Sequence, residues 1–304
     1  MKKENKQVAI LNSISELHRG LGLPGPEHPL VSIVQFSDLS TDAIDYSTGF
    51  IFNFYMVAIK KDFNGKMRYG QQYYDFDEGV MSFIAPGQLC FEEEPSDRPR
   101  AGCMILFHPD FIRNYALGKN IKNFEFFNYA VNEALYLSQK EEAVIEGIFD
   151  SIQQEYRLNI DKFSQDVIVS HIELLLTYCN RFYNRQFITR KNAGSSLLEK
   201  MEQLLNAHFN NPNGQGLPTV KSLAAQLNVS PGYLSDMLRQ LTGQSTQQHI
   251  HGKLIEKAKE MLSTGNSTVA EVAYQLGFEH PQSFNKLFKQ KTNVSPVEFR
   301  QSFN

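Results

Sequence analysis

At 304 residues the chain is long enough for two domains, each with its own apolar core. Its 30 Lys/Arg against 33 Asp/Glu, a net charge of −3, argue against a protein that coats nucleic acid nonspecifically. The charge is uneven, however: residues 195–304 hold 10 Lys/Arg against 8 Asp/Glu, while residues 1–194 hold 20 against 25, which leaves room for a locally basic C-terminal module.

No apolar run approaches the roughly 20 residues of a membrane span, and the basic N-terminus leads into no signal-peptide core. The cysteines, Cys90, Cys103 and Cys179, show no metal-ligand spacing, so a reduced, cytoplasmic setting is the simplest account.

In chain order, residues 1–30 read as an extended arm ending in the turn-rich GLGLPGPEHP. Short β-branched and aromatic runs follow at 31–36, 50–61, 66–74, 80–85 and 101–107. Asn64-Gly65 stands where a two-residue hairpin turn belongs, and Pro86-Gly87 marks another turn. Several short strands between turns predict a small barrel or sandwich.

After His108 the period changes to that of helices, over 109–117, 138–156 and 163–187. In the last of these Val167, Ile168, Ile172, Leu175, Leu176, Cys179 and Phe182 form one apolar stripe. Such a stripe can pack on the strands, join two copies of the chain, or do both; the spacing leaves both readings open. RKNAGSS, 190–196, is polar and contains glycine, and marks a boundary.

From residue 197 the chain reads as helical to its end. The helices are opened by Thr219, Ser230-Pro231, Ser245 with Gln248, Thr268 with Glu271, His280-Pro281 and Ser295-Pro296. The fold class expected is α+β with two domains: 1–190 for sensing and dimerisation, a linker at 191–196, and 197–304.

The last segment is written twice. Val220, Leu223, Ala224, Leu227 and Val229 match Val269, Val272, Ala273, Leu276 and Phe278 at an offset of 49. Leu234, Leu238, Thr242 and Ser245 match Phe284, Phe288, Thr292 and Ser295 at an offset of 50. One residue has therefore been inserted in the middle turn of the second copy. Two short helices joined by a tight turn, repeated once, predict a pair of helix-turn-helix units.

In each unit the second helix would enter the major groove, and a helix over 246–263, about 27 Å long, would hold the units near the 34 Å spacing of successive grooves. With Leu234 and Leu238 inward, Gly232, Tyr233, Ser235, Asp236 and Arg239 are expected outward. With Phe284, Leu287 and Phe288 inward, Gln282, Ser283, Asn285, Lys286 and Lys289 are expected outward. Arg239, Lys286 and Lys289 suit phosphate, where charge suffices.

STVAEVAYQLGFEHPQSFNKLFKQKTNVSPVEFR resembles the signature of AraC/XylS-type transcription regulators. The likeness rests on Leu276-Gly277-Phe278, on Phe284 with Phe288-Lys289, and on Val294-Ser295-Pro296 with Phe299-Arg300. It covers about residues 197–304. The resemblance implies a sequence-specific regulator, more often an activator than a repressor, that binds double-stranded DNA as a homodimer and works on RNA polymerase. It also implies a cupin-like barrel for a small-molecule effector in the N-terminal half. Two positions depart from the pattern. Asp236 stands where a basic residue is common, and Gly232 leaves the helix head bare, so the second copy is expected to supply more base contacts.

An enzyme reading finds no site. His249 and His251, two apart on a helix, point in different directions, and His108 stands alone. No nucleophile elbow, phosphate loop or CxxC occurs, so no catalytic residue, metal or cofactor is expected. The aromatic residues Phe52, Phe54 and Tyr73 are the candidate ligand contacts; core packing is the alternative for them. The alternative for the N-terminal domain as a whole is a ligand-free barrel used for dimerisation or protein contacts.

Overall fold

The computed structural model describes residues 8–39, 49–61, 67–69, 72–74, 79–90, 101–129, 133–158, 161–189, 191–210, 216–264 and 267–302. It divides into two units, Met1–Gln186 and Phe187–Asn304.

The N-terminal unit is built on central strands that are largely buried, which is why they read as nearly unbroken apolar runs. Strands β2 (Val31–Gln35), β4 (Tyr55–Lys61), β7 (Val80–Ile84), β9 (Ala101–Phe107) and β10 (Leu135–Tyr136) form an antiparallel sheet in the order β10-β7-β4-β9-β2. A second sheet orders β1 (Val8–Leu11), β3 (Gly49–Phe52) and β8 (Leu89–Cys90) as β1-β3-β8, with β1 parallel to β3. Strands β5 (Met67–Tyr69) and β6 (Gln72–Tyr74) pair with each other, Met67 opposite Tyr74.

Alternation along β4 splits the core in two. Ala58 and Met56 join Phe52, Phe54, Leu106, Ile14 and Leu17 in one cluster. Val57 and Ile59 pair with Phe83 and Met81 on the opposite face, where Cys179 Sγ lies 3.7 Å from Met81 Sδ. Gly102, at φ +108°, lets β9 press close to β4: a Cβ there would lie 2.1 Å from the Ile59 carbonyl oxygen.

Among the described residues the sheets do not close into the expected barrel. The edge at β10 is only two residues long and is covered by side chains instead of another strand. Gln186 Oε1 accepts the Tyr136 N–H at 2.8 Å and its Nε2 donates to the Ala134 carbonyl at 3.2 Å, while Arg185 Nη2 donates to the Tyr136 carbonyl at 2.7 Å. Side chains thus use up the hydrogen-bonding groups that closure would have needed. The Asn64-Gly65 turn and Glu92 to Glu94 lie outside the described residues.

The stretch read as an extended arm contains both β1 and helix α1 (Ile14–Gly20), opened by Ser13, whose hydroxyl accepts the Glu16 N–H at 3.2 Å. Short helices α2 (Pro109–Ile112) and α3 (Ala116–Asn120) lead to the long helices α4 (Gln139–Arg157) and α5 (Ser164–Thr189). On α5 the predicted stripe is interior: Ile172, Leu175, Leu176 and Cys179 are each 0% exposed. Of its two readings, packing within the chain is the one observed, because a second layer of apolar side chains from the sheet already covers the stripe.

In the C-terminal unit helix α6 (Lys191–Asn210) takes in the whole of 191–196, so that stretch is helical where a linker was expected. The propensity cost of a glycine and serines, about 1 kcal/mol for the glycine, is outweighed further along by the burial of Met201 and Leu205. Helices α7 (Val220–Leu227), α8 (Pro231–Thr242), α9 (Thr246–Thr264), α10 (Val269–Gln275), α11 (Pro281–Thr292) and α12 (Pro296–Gln301) follow.

Candidate nucleic-acid interface

The repeat is structural down to single hydrogen bonds. The support helices α7 and α10 are both opened by a threonine capping box, Thr219 with Ser222 and Thr268 with Glu271. Both middle turns need a left-handed residue, Asn228 at φ 57° and Gly277 at φ 93°, at the 49-residue offset. The next N–H then reaches back five residues at 3.0 Å in each copy, Val229 to Ala224 and Phe278 to Ala273.

The reading helices α8 and α11 both begin on a proline and end at a left-handed residue, Gly243 or Asn293. Thr242 and Thr292 each donate their hydroxyl to the carbonyl four residues back at 2.8 Å. Ser245 with Gln248 and Ser295 with Glu298 then open the following helix in the same way.

Beneath this frame the copies differ. In the second, Phe284 and Phe288 are fully buried, Leu287 is half-buried, and Gln282, Ser283, Asn285, Lys286 and Lys289 are all exposed, as the sequence predicts. Gln290 and Lys291 are exposed on the same helix and were not singled out, although Gln290 lies one turn beyond Lys286. Among the described residues Lys286 and Lys289 have no carboxylate within 4 Å, and both are exposed, so their charge is open to a polyanion.

In the first copy the outward face is narrower. Tyr233 is only 6% exposed and meets the Phe187 ring edge-on at 5.2 Å, and Met237 is buried beside it. The Ser235 hydroxyl shares a 3.0 Å hydrogen bond with the fully buried Thr246 hydroxyl. Both residues therefore sit inward of the place predicted for them. The cause is that α6 packs on α8 in addition to α7 and α9, so two adjacent stripes of α8 are covered. The equivalent of Tyr233 in the second copy is Ser283, and it is exposed. Asp236 is half-buried and accepts from Arg239 Nη1 at 2.7 Å, so the acid is offset by a neighbour one turn away. Arg239 keeps more than half of its side-chain surface exposed.

The two copies touch where Gly277 passes Gly216, the residue that leads into the first copy. A Cβ on Gly277 would stand 2.5 Å from the Gly216 carbonyl carbon and 2.6 Å from its oxygen. His208 Nε2 lies 2.9 Å from that same oxygen. Phe209 of α6 packs onto the core of the second copy.

His249 and His251 have separate partners, Thr242 Oγ1 and Gln247 Nε2, each at 2.8 Å. Burial holds both imidazoles below their ordinary range; Glu202 opposes this at His249, and Lys291 adds to it at His251. Among the described residues no cluster of three metal-ligating side chains occurs. No helix of the described chain is long and apolar enough to cross a membrane.

Of the candidate ligand contacts, Phe52 and Phe54 are 7% and 0% exposed, with their rings packed 5.5 Å apart inside the core between the sheets. Tyr73 lies in β6. A cavity of about 180 Å³ in the same unit lies elsewhere, over Val31, Phe111 and Ile168.

Residues 223–302 match the model of a helix-turn-helix domain family. Over 82 residues the chain is 34% identical to the transcriptional regulator YisR of Bacillus subtilis, covering 27% of this chain and 29% of that protein. Over 81 residues it is 36% identical to the arabinose operon regulatory protein of Escherichia coli, covering 27% and 28%. The C-terminal domain of AraT, a response regulator from Geobacillus stearothermophilus, is 31% identical over 35% of this chain and 84% of that one, with a TM-score of 0.32. The chain spans about a third of the length of the curated relatives it matches.

Proposed function

We propose that this chain, whose C-terminal domain is an AraC-type helix-turn-helix domain, is a sequence-specific transcription regulator that reads double-stranded DNA through two unequal heads. The observation that carries the reading is the face of α11. Gln282, Asn285, Lys286 and Lys289 stand exposed on a helix held from behind by Phe284 and Phe288. The amides have the donor and acceptor pairs that read base edges, and the lysines supply phosphate contacts. Arg239 is the main contribution of α8, and its charge serves phosphate.

The division of labour follows the sequence: residues 1–190 sense and dimerise, 191–196 join, and 197–304 bind DNA. The protein acts in the cytoplasm, as a homodimer, more often activating than repressing, and through RNA polymerase. The layered sheets of the N-terminal unit serve as a cupin-like receptor for a small effector. A second reading has its own support: Phe52 and Phe54 fill the core instead of lining a cavity, which favours an N-terminal unit that binds no small molecule. A thermal-shift screen of small metabolites on the full chain separates the two, since silence across broad classes favours the ligand-free unit.

The DNA reading is tested by band shift with genomic fragments at two salt concentrations. A sequence-selective complex is expected, and Lys286→Ala with Lys289→Ala should weaken it on all sequences alike. Asn285→Ala or Gln282→Ala should relax sequence preference by about 1–3 kcal/mol per lost contact. No selective complex from the wild type, or one indifferent to both lysines, overturns the proposal.

A further inference from the structure

We infer that Arg300 is a DNA-phosphate contact on the flank of the second reading head, an inference that rests on the DNA-binding reading above. Among the described residues, Arg300 Nε and Nη2 are the enclosed side-chain nitrogens left with no hydrogen-bond partner. These two atoms form the side-on edge of the guanidinium, the fork that matches two oxygens of a carboxylate or phosphate. In Arg185 the same edge is filled. Arg185 Nε and Nη2 donate to the two carboxylate oxygens of Glu141 at 2.9 and 2.6 Å.

Position makes the vacancy informative. By the 50-residue offset Arg300 takes the place of Ile250, which is 1% exposed in the core of the first copy. A residue serving only to fill that place would be apolar, and enclosing guanidinium N–H groups without partners is unfavourable. No carboxylate oxygen of the described residues reaches these two nitrogens. On α12 the carboxylate is Glu298, already spent on the Ser295 N–H at 2.6 Å. Cations stand by its neighbours on α12: Lys259 Nζ is 5.9 Å from the Phe299 ring centre, and the charge of Lys289 helps keep the Glu298 carboxyl below its usual range. An arginine with an unfilled bidentate edge, on a helix whose neighbouring residues meet Lys259 and Lys289, is matched by an oxyanion from outside. With no hydrogen bond retaining it, the half-buried side chain turns outward when the backbone of a duplex comes alongside α11.

The test uses the full chain with Arg300→Leu and Arg300→Lys, read by fluorescence anisotropy on a retained genomic fragment and on a scrambled duplex across salt concentrations, with thermal unfolding alongside. Arg300→Leu should lose affinity by on the order of ten-fold on both duplexes. Its slope of log K against log salt should fall by about one, and its melting temperature should hold or rise because an unpaired enclosed charge is gone. Arg300→Lys, with charge but no fork, should fall between. Unchanged affinity, or affinity that falls only with a lowered melting temperature, overturns the assignment. Failure of the wild type to bind any fragment would instead overturn the DNA reading itself.

Discussion

Gly277→Ala offers a strong test of how the two heads are joined. The glycine is at φ +93°, outside the range an L side chain adopts easily, and a Cβ would meet the Gly216 carbonyl carbon at 2.5 Å. Backbone strain of roughly 1–3 kcal/mol and a displacement comparable to overpacking a core, about 1–3 kcal/mol, together give about 2–6 kcal/mol. For a unit of this size that is a fall in melting temperature of at least roughly 8 °C. The matching residue, Asn228, is at φ 57° and has the ordinary left-handed geometry that asparagine tolerates. Asn228→Gly should therefore be nearly neutral, and Asn228→Ala should cost about 1–2 kcal/mol. Calorimetry on the full chain would follow the transition of the C-terminal unit, assigned by its shift on adding DNA. If Gly277→Ala melts within a few degrees of wild type, or if Asn228→Ala costs as much, the close passage at Gly216 does not constrain the domain.

Other expectations concern residues whose places differ from their sequence reading. Tyr233→Phe should leave sequence selectivity in a band shift unchanged, whereas Tyr233→Ala should lower stability by about 3–5 kcal/mol, the cost of truncating a buried aromatic ring. Leu175→Ala should cost about 2–5 kcal/mol in urea unfolding without changing the sedimentation of the folded protein; dissociation at unchanged stability would restore the stripe as a dimer surface. For His249 and His251 the folded state favours the neutral imidazole. Their contribution is thus present above the ordinary value of 6.5 and is lost as the pH falls below it, because the unfolded chain then binds more protons. Urea midpoints of the C-terminal unit should drop between pH 7 and pH 5.5, and less so in His249→Gln with His251→Gln.

Capping residues and apolar pairs made the C-terminal half legible from the sequence. Thr219, Thr268, Ser245 and Ser295 each act within three residues, and Leu234 with Leu238 and Phe284 with Phe288 act within four, so the signal is local. What escaped was set by neighbours distant in sequence. Tyr233 and Ser235 face inward because Phe187 of α5, helix α6 and the start of α9 cover a second stripe of α8, and nothing within α8 announces that. Strand β1 pairs in parallel with β3 some 40 residues away, so its four residues carried no turn signal. The closing of the sheet edge by Gln186 and Arg185 likewise depends on residues 50 positions from β10. The Ser13 to Glu16 cap is a local sign of α1, set within a stretch whose turn-rich end reads as an arm.

The passage of Gly277 against Gly216 also bears on what duplex geometry one chain can accept. With Phe209 of α6 packed against the second core and the backbone at Gly277 pressed against that at Gly216, the two heads brace each other. The rod of α9, 19 residues or about 28 Å long, cannot lengthen to suit a respaced site. A site whose two segments are set apart by extra base pairs must then twist or bend to be read by both heads, and the energy of that deformation depends on base steps no side chain touches. Part of the selectivity of such a rigid reader would therefore lie in the stiffness of the DNA between its contacts.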